Sequence, residues 1–90
     1  MKTTSIPSGA ATTAAKVTPG RILSVLVTTA GTGSGNVQIT DGVAGIVIGL
    51  VPATITLATV QNFGQYGVPA ITSIQVVNVL NGPVMTLVYD

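Results

Sequence analysis

Ninety residues with three basic and two acidic side chains, no histidine and no cysteine, make one small domain of almost neutral charge, which excludes several functions at once. A formal charge of +1 without clustered Lys or Arg cannot track a phosphate backbone, and the missing His and Cys remove the commonest general base, the thiolate nucleophile, the soft metal ligands and any disulfide framework. Charged residues make up 6% of the chain and hydrophobic ones 47%, where an ordinary soluble domain carries roughly 25% charge, so much of the surface is expected to face lipid or protein.

In chain order, the opening "MKTTSIPSGAATTAAKVTPG" lacks the apolar core of a secretory leader. Its Thr, Ser, Ala, Pro and Gly content predicts an extended arm over residues 1–18, ending at the Pro19-Gly20 turn. Such an arm is either a free tail or a segment laid on a neighbouring subunit. "GRILSVLVTTA" reads as a strand with Leu23, Val25 and Val27 on one face and Ile22, Ser24, Leu26 and Thr28 on the other. "GTGSG", Gly31 to Gly35, reads as a hairpin loop; it lacks the Lys-Ser/Thr ending and the following helical pattern of a phosphate loop. "NVQITDG" then alternates, with Val37 and Ile39 inward, and closes on Asp41-Gly42 as a turn.

Val43 to Val60 is eighteen residues without a charge and contains Gly45-x-x-x-Gly49, so a transmembrane helix has to be weighed. Ten of the eighteen are Val, Ile or Thr, and Pro52 stands near the middle; this favours strands. No basic residue follows Arg21, so nothing would anchor or orient a membrane span. Split at Pro52, the segment gives a strand with Ile46, Ile48 and Leu50 on one face and Val47 and Val51 on the other. A second strand, from Thr54 to Val60, sets Ile55 and Leu57 against Thr54, Thr56 and Ala58. On a strand, the two glycines mark places where a bulky group can come close. "ITSIQVV" puts Ile74 and Val76 opposite Ser73 and Gln75. "PVMTLVY" keeps Met85, Leu87 and Tyr89 together, and Asn81-Gly82 between the two is a strong hairpin signal. At least six short strands predict an antiparallel sandwich or barrel.

Candidate chemistry is sparse. Asp41 and Asp90 are the two side-chain carboxylates; as a catalytic pair, or Asp41 as a calcium ligand, they compete with simpler roles as a turn residue and a solvated end. Lys16 and Arg21 flank Pro19-Gly20 and would suit an acidic partner or serve as ordinary solvating charges. Three scattered aromatic residues and no Trp give no stacking platform for sugars or bases. No cofactor, metal or enzymatic activity is expected.

The run "TPGRILSVLVTTAGTGSGNVQITDG", followed by "YGVPAITSIQVV" and "MTLVYD", resembles small virion proteins of tailed bacteriophages, of the capsid decoration or cement type. The resemblance covers about residues 18 to 90 and lies in the pattern of strands and turns. It implies an all-β fold, a compact antiparallel β-sandwich that is jelly-roll-like, occupying residues 19–90 behind the N-terminal arm. It further implies a homotrimer on the virion surface, made in the host cytoplasm, that binds the major capsid protein and bridges neighbouring capsid subunits, with no nucleic acid or membrane as partner. Contact residues expected on this reading are Lys2 in the arm, Lys16, Arg21, and the second-face residues Val47, Val51 and Val60. The alternatives are a head-fibre, spike or tail subunit, and a small membrane protein.

Overall fold

The computed structural model describes residues 1–43, 45–55 and 60–90, and the elements among them are all strands: β1 (Lys2–Ile6), β2 (Thr12–Lys16), β3 (Gly20–Thr29), β4 (Asn36–Asp41), β5 (Ile46–Pro52), β6 (Val60–Asn62), β7 (Val68–Ala70), β8 (Ile74–Val77) and β9 (Val84–Tyr89). Two antiparallel sheets result. One has the order β1-β9-β3-β6, with β7 also paired to β3; the other has the order β2-β8-β4-β5.

The pairings share one logic. β1 pairs with β9, β2 with β8, β3 with β6 and β7, and β4 with β5, so the chain is one long antiparallel hairpin with its tip between Asp41 and Ile46. Rolling that hairpin up adds the β9 to β3 and β8 to β4 contacts and distributes successive strands between two sheets. This is the strand order of a jelly roll, and the fold is the all-β sandwich that the strand pattern predicts.

The core lies between the sheets. Ile22, Val25 and Val27 of β3 meet Met85, Leu87 and Tyr89 of β9, and Val37, Ile39, Val51, Ile74 and Val76 face them from the second sheet. β9 alternates as its sequence requires, Met85, Leu87 and Tyr89 inward. In β3 the alternation breaks, because Ile22 stands opposite Tyr89 while Ser24 stands opposite Val88. Leu23 is therefore the extra residue of a bulge. One added residue inverts the faces on either side of it, so Ile22 joins Val25 and Val27 in the core, and Leu23, expected there, does not.

β5 departs from simple alternation for the same reason. Ile39 faces Gly49 and Thr40 faces Val47, leaving Ile48 as the added residue. Val47 and Val51, expected on one face, are on opposite ones: Val47 is outside, and Val51 is fully buried against the core. Gly49 is a point of close approach as expected, since a Cβ there would stand 2.9 Å from Phe63 Cε1 and 3.2 Å from Ile22 Cδ1. Of the strand expected from Thr54 to Val60, Thr54 lies in a turn, residues 56–59 fall outside the described residues, and pairing begins at Val60. No helix among the described residues is long and apolar enough to cross a membrane.

Residues 1–18 are not an arm. β1 pairs with β9 over five residues in unbroken register, and β2 pairs with β8. Ile6 is buried in the core, and the Thr4 and Tyr89 hydroxyls are hydrogen-bonded at 2.8 Å. The small, polar composition that suggested a flexible tail also suits an outer strand whose exposed face carries Thr and Ser, and the boundary at residue 18 divides nothing. The Gly31 to Gly35 and Asn81-Gly82 turns also differ from expectation: each carries the chain from one sheet to the other, between β3 and β4 and between β8 and β9. Asn81 has φ 58°, while Gly82 is not left-handed, so the pair does not form the tight turn that needs positive φ at both central residues. The hairpin loop proper is at Asp41-Gly42, where Gly42 has φ 91°, as such a turn demands.

Candidate functional site: the charged end of the sandwich

Rolling the hairpin gathers the five charged side chains at one end. Lys2 begins β1, Lys16 ends β2, Arg21 lies at the start of β3, Asp41 ends β4, and Asp90 follows β9. The registers place them together: Lys2 is opposite Tyr89, Lys16 and Asp41 are both opposite Ile74, and Arg21 is opposite Pro69. The loops of the opposite end, residues 7–11, 30–35 and 78–83, carry no charge.

Three of these charges, on Lys16, Arg21 and Asp41, hold backbone. Asp41 Oδ2 accepts the N–H of Ile71 at 3.0 Å, and Oδ1 accepts those of Thr72 at 2.8 Å and Ser73 at 3.4 Å. The Ile71 and Thr72 N–H groups are the main cause that keeps the Asp41 carboxyl below its ordinary range, because hydrogen bonds to the ionised form favour it. A carboxylate occupied in this way is a loop clamp, and its oxygens are turned to donors that a calcium ligand would not face. Arg21 donates from Nη1 to the Tyr66 carbonyl at 2.9 Å, and Lys16 donates from Nζ to the Asp90 carbonyl at 3.2 Å. The Asp90 carboxylate pairs with the Met1 amine at 2.9 Å, and that hydrogen bond, with the attraction of the same amine, holds its pKa down. The two aspartates thus have separate partners: loop N–H groups for Asp41 and the Met1 amine for Asp90.

What the clamps display is apolar. Val43 at 80% exposure, Ile46 at 77% and Ile71 at 80% stand on the hairpin tip and on the loop between β7 and β8. Asp41 ties those two segments to each other, and a bond from Gly42 N–H to the Ser73 carbonyl at 3.1 Å reinforces the tie. Val17 and Tyr66 are also strongly exposed at this end. A shallow groove lined by Pro19, Arg21, Pro69, Ala70, Ile71 and Asp90 runs beside them. Large side chains held out by a fixed backbone and rimmed by charge are the pattern of a protein-binding surface, and Tyr and Arg are among the residues that most often anchor one.

Of the expected contact residues, Lys2, Lys16 and Arg21 come together here. Val47 is exposed on β5, opposite Thr40 and next to Ile46 at the hairpin tip, while Val60, exposed on β6 opposite Leu26, lies away from them. Val51 is corrected outright, since a side chain with no exposed surface touches no partner. Val17, Val43, Ile46, Tyr66 and Ile71 were missed, and no local pattern marks them, because the loops that carry them meet only after the roll. Among the described residues there is no group of three or more acidic, His or Cys side chains placed to hold a metal ion. Comparison with protein-family models, curated proteins and solved structures finds no match for the chain.

Proposed function

We propose that the chain is a structural virion protein that docks on the outside of a bacteriophage capsid and bridges neighbouring capsid subunits. The docking element is the charged end. Three things support this reading: the jelly-roll order, an architecture that viral capsid domains use among others; the sequence resemblance over residues 18 to 90; and, carrying most weight, the fixed display of Val43, Ile46 and Ile71, the last lining a groove with Arg21. Burying a Val or Ile side chain contributes roughly 1.5–3 kcal/mol, so a few such anchors sustain specific attachment. Many copies on one shell multiply the effect through effective concentration.

The test adds purified protein to capsids that lack it. Ile71→Lys together with Val43→Lys places charge on exposed positions that bear no core load. Occupancy should fall more than tenfold while the melting temperature of the free protein is unchanged. Full occupancy by that variant would remove this end from the mechanism, and failure of the unaltered protein to bind would remove the capsid as partner.

A further inference from the structure

The strands that border the two sheets are guarded differently. β2 has a bulge at Ala15 and ends in Lys16; β5 has a bulge at Ile48 and ends in Pro52; β6 and β7 are three residues each, with Pro69 inside β7. Bulges, prolines, charges and short length are the devices that keep a foreign strand from adding to a sheet edge. β1 has no bulge and no proline within its span. It runs five residues in regular register, from Lys2 opposite Tyr89 to Ile6 opposite Met85, and its one charge is at its first residue. Among the described residues its outer backbone groups meet no hydrogen-bond partner.

We propose that β1 is a self-pairing edge: β1 of a second copy of the chain adds antiparallel to it about a two-fold axis at Thr4, joining two β1-β9-β3 sheets into one. The strand is self-complementary in this register. Thr3 faces Ser5 of the second copy and Thr4 faces its own equivalent, hydroxyl pairs that favour cross-strand contact. Lys2 faces Ile6 of the second copy, so the two Lys2 residues stand about 14 Å apart along the ladder, beyond the Debye length of about 8 Å in physiological salt. Thr3 and Ser5 are both exposed and carry no core load. The contact is independent of capsid docking, because it uses a sheet edge and not the apolar end. It is isologous, so it joins copies in twos, in contrast to the threefold packing that the resemblance implies. A five-residue ladder is smaller than the roughly 1,200–2,000 Å² interfaces of stable complexes, so the dimer is weak and concentration-dependent.

Sedimentation equilibrium of the full chain, from micromolar to submillimolar concentration, tests this. The mass should rise from one chain to two. Thr3→Lys with Ser5→Lys sets like charges across the ladder and should hold the mass at one chain. Thr3→Lys with Ser5→Glu sets opposite charges across it and should restore two chains, which separates loss of pairing from loss of fold. A wild-type mass that stays at one chain or converges on three would overturn the proposal. So would a double-lysine variant that still pairs, or a Lys/Glu variant that stays single with its β circular dichroism intact.

Discussion

Thr72 donates its backbone N–H to Asp41 Oδ1 at 2.8 Å, across 31 positions of sequence. Asp41 ends β4 at the tip of the rolled hairpin, and Thr72 lies in the loop that enters β8. One carboxylate thus sets the relative position of the two segments that carry Val43, Ile46 and Ile71. The proposed docking surface would depend on this tie without including Asp41 itself.

Stability should follow the ionisation of Asp41. Its folded pKa is held below the ordinary aspartate value of 3.8 by the loop N–H groups, so the clamp contributes fully above that value and is lost as pH falls through the lower folded pKa. Thermal unfolding should show a plateau near neutrality and a decline below about pH 4. Asp41→Asn should lower the plateau and flatten that part of the decline, and amide exchange at Ile71, Thr72 and Ser73 should accelerate ahead of the rest of the chain.

The bulge in β3 gives a sharp contrast between neighbours. Ile22→Ala should cost about 2–5 kcal/mol, as large-to-small changes in a filled core do. Leu23→Ala, off the core cluster, should cost about 1 kcal/mol or less. Denaturant titration of the two variants measures the difference, and the reverse order would mean that β3 alternates without a bulge.

Gly49 has room for a hydrogen and little more. Gly49→Val should destabilise by about 1–3 kcal/mol through overpacking against Phe63 and Ile22. Combining it with Phe63→Ala should cost less than the sum of the two single changes, since the substitutions share one space.

Removing residues 1–17 should abolish cooperative unfolding, because it strips β1 from β9 and β2 from β8 and exposes both partner edges. A folded, monomeric product with an unchanged melting temperature would restore the reading of this segment as an arm.

How much of this is legible in the sequence depends on what each residue reports. Alternation in β4, β8 and β9 is local, so their inward residues are read correctly, and Asp41-Gly42 marks the hairpin tip. A bulge is invisible locally: nothing in "GRILSVLV" tells Leu23 from its neighbours, because the added residue exists only relative to β9. Turn residues report that the chain reverses, and not whether the next strand stays in the same sheet, which is why Asn81-Gly82 reads as a hairpin and is a crossing. Thr- and Ala-rich outer strands share their composition with flexible tails, and β1 and β2 owe their order to partners 58 to 87 positions away. The charged end is half legible. Lys16 and Arg21 stood out by charge, while Val17, Val43, Ile46 and Ile71 gain their meaning only from loops brought together by the roll.

The central claim is that this protein sits on the outer surface of a phage head. It is tested most directly by separating heads from tails of purified virions and quantifying the chain in each by mass spectrometry, before and after protease treatment of intact heads. The account predicts recovery with heads, in many copies, from a position where a soluble antibody or protease reaches it. Recovery with tails alone, in the membrane fraction of the host, or in no virion fraction would contradict it.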